Sequence, residues 1–325
     1  MKRVLIIVGI FILGSLLGIP MWVFRGFSGA GAEIRDGEPT VRILNTQTGK
    51  IMNLSLEKYL VGVVAAEMPA EFEPEALKAQ AVAARTYTVK RMFEFGAKPS
   101  DLHKGAEICT DPTHCQAWCD DEELKRRWGR LKYYIYIEKI SKAVNFTKGQ
   151  VITYNKTIIE PVYHGSCGGR GTENSEDVWS VAIPYLRSVD CVNEYKVTEQ
   201  VYTLEIKEPS LLKVLKAVGL ESTPALAENK SLVLPTKRSP RGRLQEVTIL
   251  GRRVSGTVLR QTLGLTSTLV KWEASGGKIR FQSIGKGHAV GLCQYGANGM
   301  ALAGLDCNAI ISHYYTGVQI QKLKY

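Results

Sequence analysis

Tyr59-Leu60-Val61-Gly62-Val63-Val64-Ala65-Ala66-Glu67-Met68-Pro69, followed by Glu75-Ala76-Leu77-Lys78-Ala79-Gln80-Ala81-Val82-Ala83-Ala84-Arg85-Thr86-Tyr87, is the stretch on which the reading of this chain turns. Leu56 to Glu67 predicts a helix with Ser55 as its N-cap. Pro69 drives Met68 out of α geometry and ends that helix. Pro74 suits the first turn of a second helix, expected to stop before Gly96. Leu77, Ala81, Ala84 and Thr88 fall on one face of it at helical spacing, and the small alanines predict close packing against another element.

Outward from this pair, Val41 to Leu54 reads as a hairpin turning near Thr48-Gly49. Tyr133 to Val144 and Gln150 to Ile159 carry the β-branched and aromatic residues of strands, the second turning at Asn155-Lys156. Leu211 to Val218 reads as a short helix between Pro209 and Gly219. Strand-like runs follow at Gln245 to Leu250, Thr268 to Trp272 and Lys278 to Gln282, and helical pieces at Gln294 to Ala303 and Asp306 to Tyr315. Glu221 to Arg243, with Pro224, Pro235 and Pro240, reads as a loop. Helices and strands alternate without a βαβ rhythm, so the class expected is α+β: one mixed domain of helices and antiparallel strands over residues 40–325.

Composition narrows the rest. Of 325 residues, 45% are hydrophobic and 22% charged, which excludes a disordered chain, collagen, a long coiled coil and a polytopic membrane protein. The net charge of +11 favours anionic partners such as anionic lipid or a wall polymer. No long basic run is interleaved with aromatics, so nucleic acid is not an expected partner. Val4 to Phe24 is uncharged and long enough for a bilayer, which takes about 20 residues. Lys2 and Arg3 precede it, which places the N-terminus in the cytoplasm. Residues 1–25 are therefore expected to be a retained membrane anchor and 26–39 a linker. The competing reading is a cleaved signal peptide with Ala30-Gly31-Ala32 at the cleavage site. Either way the folded region lies outside the cytoplasm.

Five groups of residues offer chemistry. Glu67 ends an apolar helix, where desolvation raises a carboxyl pKa and suits it to general acid work; a solvated helix-end glutamate is the alternative. Arg85 sits in an apolar helical stretch, to pair with a carboxylate or an anionic ligand, or to reach solvent by its long stem. His103, Cys109, His114 and Cys115 lie close together around a turn-rich run and match a tetrahedral zinc set, with Cys119 as a spare; a Cys109–Cys115 disulfide is the competing reading. His164-Gly165-Ser166-Cys167-Gly168-Gly169-Arg170-Gly171-Thr172 is a glycine-rich loop that lets backbone approach a ligand, and Cys167 and Cys191 are left to pair with each other. Gly287 to Ala297 is a second such loop, in which His288, Gln294 and Tyr295 offer the hydrogen bonds a sugar site needs and Cys293 reads as a structural thiol.

Together these pieces, with Glu176-Asp177-Val178-Trp179 and Pro184-Tyr185-Leu186-Arg187-Ser188-Val189, resemble the stage II sporulation protein D family. The resemblance covers nearly everything after the linker. It implies a peptidoglycan lytic transglycosylase of endospore formers. Such enzymes cleave peptide-stripped glycan strands during engulfment, working in the mother-cell membrane with a partner amidase/endopeptidase and a polytopic membrane protein. It implies that Glu67 is the catalytic acid and that Arg85 is a functional position. Arg85, His164, Ser166, Gly168, Gly169, Arg170, His288, Gln294 and Tyr295 are then expected to line the substrate. The resemblance to clostridial members supports structural zinc on His103, Cys109, His114 and Cys115. Ala289 stands where the family commonly has glycine, and Cys293 where it commonly has serine.

Overall fold

In the computed structural model of the chain, which describes residues 37–191, 194, 201–217, 233–249 and 252–325, the expected hairpin opens the fold. The anchor and most of the linker lie outside the described residues. Among the described residues no helix is long and apolar enough to cross a membrane.

The described residues group into two compact units. Unit A is drawn from Ser28–Gly165 and Gln294–Tyr325, and unit B from Ser166–Cys293. No linker-like composition marks either crossing in the sequence.

In unit A, β1 (Thr40–Leu44) pairs antiparallel with β2 (Ile51–Ser55) and parallel with β3 (Ile108–Cys109). The hairpin closes at Gly49, whose φ of 70° suits the turn. Helix α1 (Leu56–Glu67) starts at Ser55, though that side chain makes no capping bond, and stops at the extended Met68. Helix α2 (Pro74–Val89) is shorter than expected, with a single 3₁₀ turn at Phe93–Phe95 before the left-handed Gly96. Its burial is not confined to one face. Ala76, Ala79, Ala81, Ala83 and Ala84 are all fully buried, so neighbours approach from several sides.

One neighbour corrects the sequence reading. Tyr133 to Val144 is not a strand but part of helix α4 (Arg130–Phe146), which follows the short α3 (Asp121–Trp128). Its buried residues Tyr133, Ile140, Ala143 and Val144 recur at helical spacing, and α4 packs on α1 and α2. Packing of that stripe overrides the β preference of its tyrosines and isoleucines. β4 (Gln150–Tyr154) and β5 (Thr157–Ile158) form the expected hairpin, with positive φ at Asn155 and Lys156, and β6 (Tyr163–His164) ends this part of the unit.

Unit B begins with the 166–172 loop and α5 (Ser175–Trp179). It builds two antiparallel sheets. β7 (Val201–Lys207) pairs with β12 (Lys278–Ile284), which pairs with β11 (Val270–Ser275). β9 (Leu244–Ile249) lies between β8 (Val233–Arg238) and β10 (Arg252–Ser255). β8 corrects the loop reading of Glu221 to Arg243, of which 221–232 lie outside the described residues. Its Pro235 sits on an edge strand at a register shift, one of the few places a sheet accepts proline. Helices α6 (Glu208–Ala217) and α7 (Gly256–Leu263) complete the unit. Leu211, Leu215, Val247, Leu259, Ile279 and Phe281 form its core.

After β13 (Leu292–Cys293) the chain returns to unit A as α8 (Gln294–Leu302), α9 (Cys307–Tyr314) and β14 (Gln319–Lys322). Both helices pack on α2, and β14 pairs with β4. The class is thus mixed α+β, with mostly antiparallel sheets.

Candidate functional site

Four ligand atoms in unit A lie at the corners of a small tetrahedron. His103 Nε2 is 3.2 Å from His114 Nδ1 and 3.4 Å from Cys115 Sγ. His114 Nδ1 is 3.5 Å from Cys109 Sγ and 3.6 Å from Cys115 Sγ. A tetrahedral zinc with bonds of about 2.0–2.1 Å to nitrogen and about 2.3 Å to sulfur requires edges of roughly 3.3–3.8 Å. Four of the six edges match this, all four atoms lie within 4.8 Å of one another, and the arrangement can hold a metal. The loop is shaped for this by Asp111, whose carbonyl accepts from the N–H groups of His114 and Cys115. Its carboxylate accepts from the Thr113 N–H and hydroxyl. The hydrogen bond with Cys109, reinforced by both imidazoles, pulls the Cys115 thiol pKa far down, while Cys109 is pushed up by the same bond. Cys119 is not one of the set: Arg127 Nη2 donates to its sulfur at 3.2 Å.

The next two residues carry the consequence of that loop to Glu67. Gln116 is buried and donates from Nε2 to Thr88 Oγ1 (3.0 Å) and Tyr59 Oη (3.4 Å), while its Oε1 accepts from the Tyr163 hydroxyl (2.8 Å). Ala117 N–H donates to Glu67 Oε1 at 2.9 Å. The segment can lie this close because of Gly62, where a Cβ would collide with the Trp118 indole and come within 2.7 Å of the Cys119 carbonyl. Burial, with the Glu67 charge added to it, pushes the phenol pKa values of Tyr59 and Tyr163 up and keeps both protonated. The half-buried Glu67 carboxyl thus accepts the Ala117 N–H beside two neutral phenols. Glu71 accepts from the Tyr136 hydroxyl, and Glu75 pairs with Lys78 and accepts from the Cys307 N–H.

Arg85 pairs with a carboxylate across the helical hairpin, one of the two partners expected for it. It is wholly buried, and its guanidinium clasps Glu57, with Nε to Oε1 at 3.0 Å and Nη2 to Oε2 at 2.6 Å. Thr147 Oγ1 and the carbonyls of Val144 and Gln150 take further bonds. Of the roles open to it, pairing with a carboxylate is the one the structure contains, and none of the guanidinium is exposed to a substrate. Arg85→Met should lower stability by about 3–5 kcal/mol, because Glu57 is left charged and buried. Denaturant unfolding should show the double variant Glu57→Gln/Arg85→Met losing much less.

The remaining residues divide between the units. In unit A, His164 is buried, Gln294 Nε2 donates to Gln80 Oε1 at 3.3 Å, and Tyr295 meets Phe72 edge to face with ring centroids 5.0 Å apart. In unit B, Ser166 donates to the Glu194 carboxylate (2.5 Å), and Gly169 and Arg170 are exposed. Gly168, at φ 68°, is tight against Ile284 of its own unit, so this glycine serves internal packing. His288 accepts the Val290 N–H on Nδ1 and lies 5.1 Å from the Trp179 ring. Tyr59, Gln116, Ala117 and Tyr163 were not singled out from sequence. Only the adjacency of Gln116 and Ala117 to the Cys/His loop signalled them. A cleft of about 730 Å³ opens between Leu54, Glu57, Val61, Trp118 and Tyr133, but Glu67 does not line it.

Fold and site together define a mixed α+β protein in which a Cys2His2 loop that can hold a metal ion runs directly into the segment that holds Glu67. Residues 44–154 match the family model described as Stage II sporulation protein. The chain is 36% identical to stage II sporulation protein D of Bacillus amyloliquefaciens, over 92% of this chain and 83% of that protein. It is likewise 36% identical to stage II sporulation protein D of Bacillus subtilis (strain 168), over 90% and 82%. A further relative, named amidase enhancer, from Bacillus subtilis (strain 168), is 28% identical over 80% of this chain and 40% of its own length. The chain belongs to the stage II sporulation protein D family.

Proposed function

We propose that the protein is a lytic transglycosylase that cleaves the bond between N-acetylmuramic acid and N-acetylglucosamine in peptide-stripped glycan, during engulfment in sporulation. The observation that carries this reading is the setting of Glu67: a half-buried carboxyl at a helix end, held by the Ala117 N–H beside the protonated phenols of Tyr59 and Tyr163. Ordinary glycosidases need two carboxyl groups. One suffices when the nucleophile is part of the substrate. Protonated Glu67 gives its proton to the glycosidic oxygen as the C1–O bond breaks. The muramyl C6 hydroxyl forms a new bond to C1, and its proton goes to the Glu67 carboxylate. The product is a 1,6-anhydro ring, and no water is consumed. His164, Gln294 and Tyr295 of unit A are proposed substrate contacts; the roles expected of Gly169, Arg170 and His288 are proposed separately for unit B.

Zinc on His103, Cys109, His114 and Cys115 is proposed as structural. Four protein ligands leave no open position for water, and the role of the ion is to hold Gln116 and Ala117 in place. The folded region is proposed to lie outside the cytoplasm behind the 1–25 anchor, with an amidase/endopeptidase and a polytopic membrane protein as partners.

A second reading is favoured by one similarity, that to a protein named amidase enhancer: a non-catalytic glycan binder that stimulates an amidase. One experiment separates the two. The purified chain should release fragments ending in 1,6-anhydro-N-acetylmuramic acid from amidase-treated strands, and few from intact sacculi, as read by mass spectrometry. Products one water heavier would make it a hydrolase. Absence of cleavage, with glycan binding and amidase stimulation, would leave the activator.

A further inference from the structure

Three cysteines far apart in the chain, Cys167, Cys191 and Cys293, meet inside unit B with their sulfurs all within 4.8 Å of one another. All three are buried and none is in a disulfide. The Glu194 carboxylate lies against two of them, with Oε2 3.0 Å from Cys167 Sγ and Oε1 3.6 Å from Cys293 Sγ. That carboxylate is itself oriented by the Ser166 hydroxyl and the Gly169 N–H. The Cys167 N–H points at Cys293 Sγ at 3.3 Å, the kind of bond that steadies a thiolate ligand.

Buried thiols can pack simply as small apolar groups, and two observations oppose that here. Three sulfurs and a half-buried carboxyl converging on one point make a set of metal donors rather than an apolar contact. The charge nearby is also arranged for an anionic cluster. Arg243 is 2% exposed, and its Nη2 donates to the carbonyls of Cys167 (2.5 Å) and Gly171 (3.2 Å). Its Nε lies 3.3 Å from Glu173, while Nη1 is buried without a hydrogen-bond partner among the described residues. Three thiolates and a carboxylate around a divalent ion carry a net formal charge of about −2, which this guanidinium partly offsets. Cys191 also lines a surface cleft of about 420 Å³ with Arg170, Asp190 and Arg241, which gives an ion a route in.

We propose that Cys167, Cys191, Cys293 and Glu194 form a second zinc site, distinct from the Cys/His loop of unit A. Each thiol loses its proton to solvent as the ion binds, so the site forms Zn–S bonds with no change of oxidation state. It pins the 166–171 loop to Cys293, where the chain leaves unit B. The inference does not depend on the glycan chemistry at Glu67.

Metal content of the full chain, produced with zinc in the medium, tests it. Wild type should hold two zinc ions per chain. Cys293→Ser should hold one, and Cys109→Ser/Cys115→Ser should also hold one. In cobalt-loaded protein, sulfur-to-cobalt charge-transfer absorption should persist in Cys109→Ser/Cys115→Ser and vanish when Cys293→Ser is added. Should the loop variant fail to fold, Cys293→Ser alone decides, since the proposal requires its zinc content to halve. One zinc in wild type, unchanged in Cys293→Ser, overturns the site. So does a Cys167–Cys191 disulfide mapped by peptide analysis without reduction.

Discussion

Glu67→Gln should fold like the wild type and release no anhydro product above background, a fall of roughly 10²–10⁴-fold in rate. The amide has the shape of the carboxyl and its oxygen still accepts the Ala117 N–H, so the helix end and its neighbours should be unchanged. What disappears is the transferable proton. Because the same carboxyl is proposed to give one proton and take another, no partial reaction survives its loss. Circular dichroism establishes the fold and mass spectrometry of glycan products reads the rate. Wild-type product levels from folded Glu67→Gln would end the assignment.

Removing the metal from the Cys/His loop is the second large effect. Cys115→Ser should lose the ion and lower thermal stability by several kcal/mol. Structural zinc is worth roughly 10–16 kcal/mol in small zinc-finger peptides, where nothing else holds the chain. Here unit A has its own core of Tyr59, Leu60, Val63, Leu77 and Ile152, so part of that effect is buffered. Cleavage should fall further than stability explains. Gln116 and Ala117 follow Cys115 directly, and they carry the bonds to Tyr59, Tyr163, Thr88 and Glu67. Calorimetry and product analysis at a temperature where the variant is folded separate the two effects. Retained zinc and full activity in Cys115→Ser would show that the loop is held another way.

Features coded by neighbouring residues were legible in the sequence. The helix pair around Met68-Pro69, the Asn155-Lys156 hairpin and the Cys/His group each lie within a short stretch, so spacing alone exposes them. Tyr133 to Val144 was misread because its composition favours strands, and only the partner surface on α1 and α2 shows which period matters. β8 was hidden by Pro235, whose tolerance depends on an edge position no local pattern reveals. The Arg85–Glu57 clasp and the union of Cys293 with Cys167 and Cys191 join distant residues. For Arg85 the sequence offered a carboxylate, an anionic ligand or solvent, and the resemblance favoured the substrate. For Cys293 nothing local pointed to sulfur partners.

The return of the chain to unit A has a consequence for how the protein is made. β14 pairs with β4, α8 and α9 pack on α2, and the Tyr325 hydroxyl bonds Glu57 (2.5 Å) and the Gly149 N–H (3.1 Å). On a ribosome, α1, α2 and β4 emerge long before those partners exist, while all of unit B is synthesised in between. The unit that carries Glu67 therefore cannot finish folding until its closing segment is released, and contacts of such sequence separation form slowly. A nascent chain stalled before Gln294 should present Glu67 on an open scaffold that limited proteolysis cuts, whereas a chain extended past Lys322 should resist.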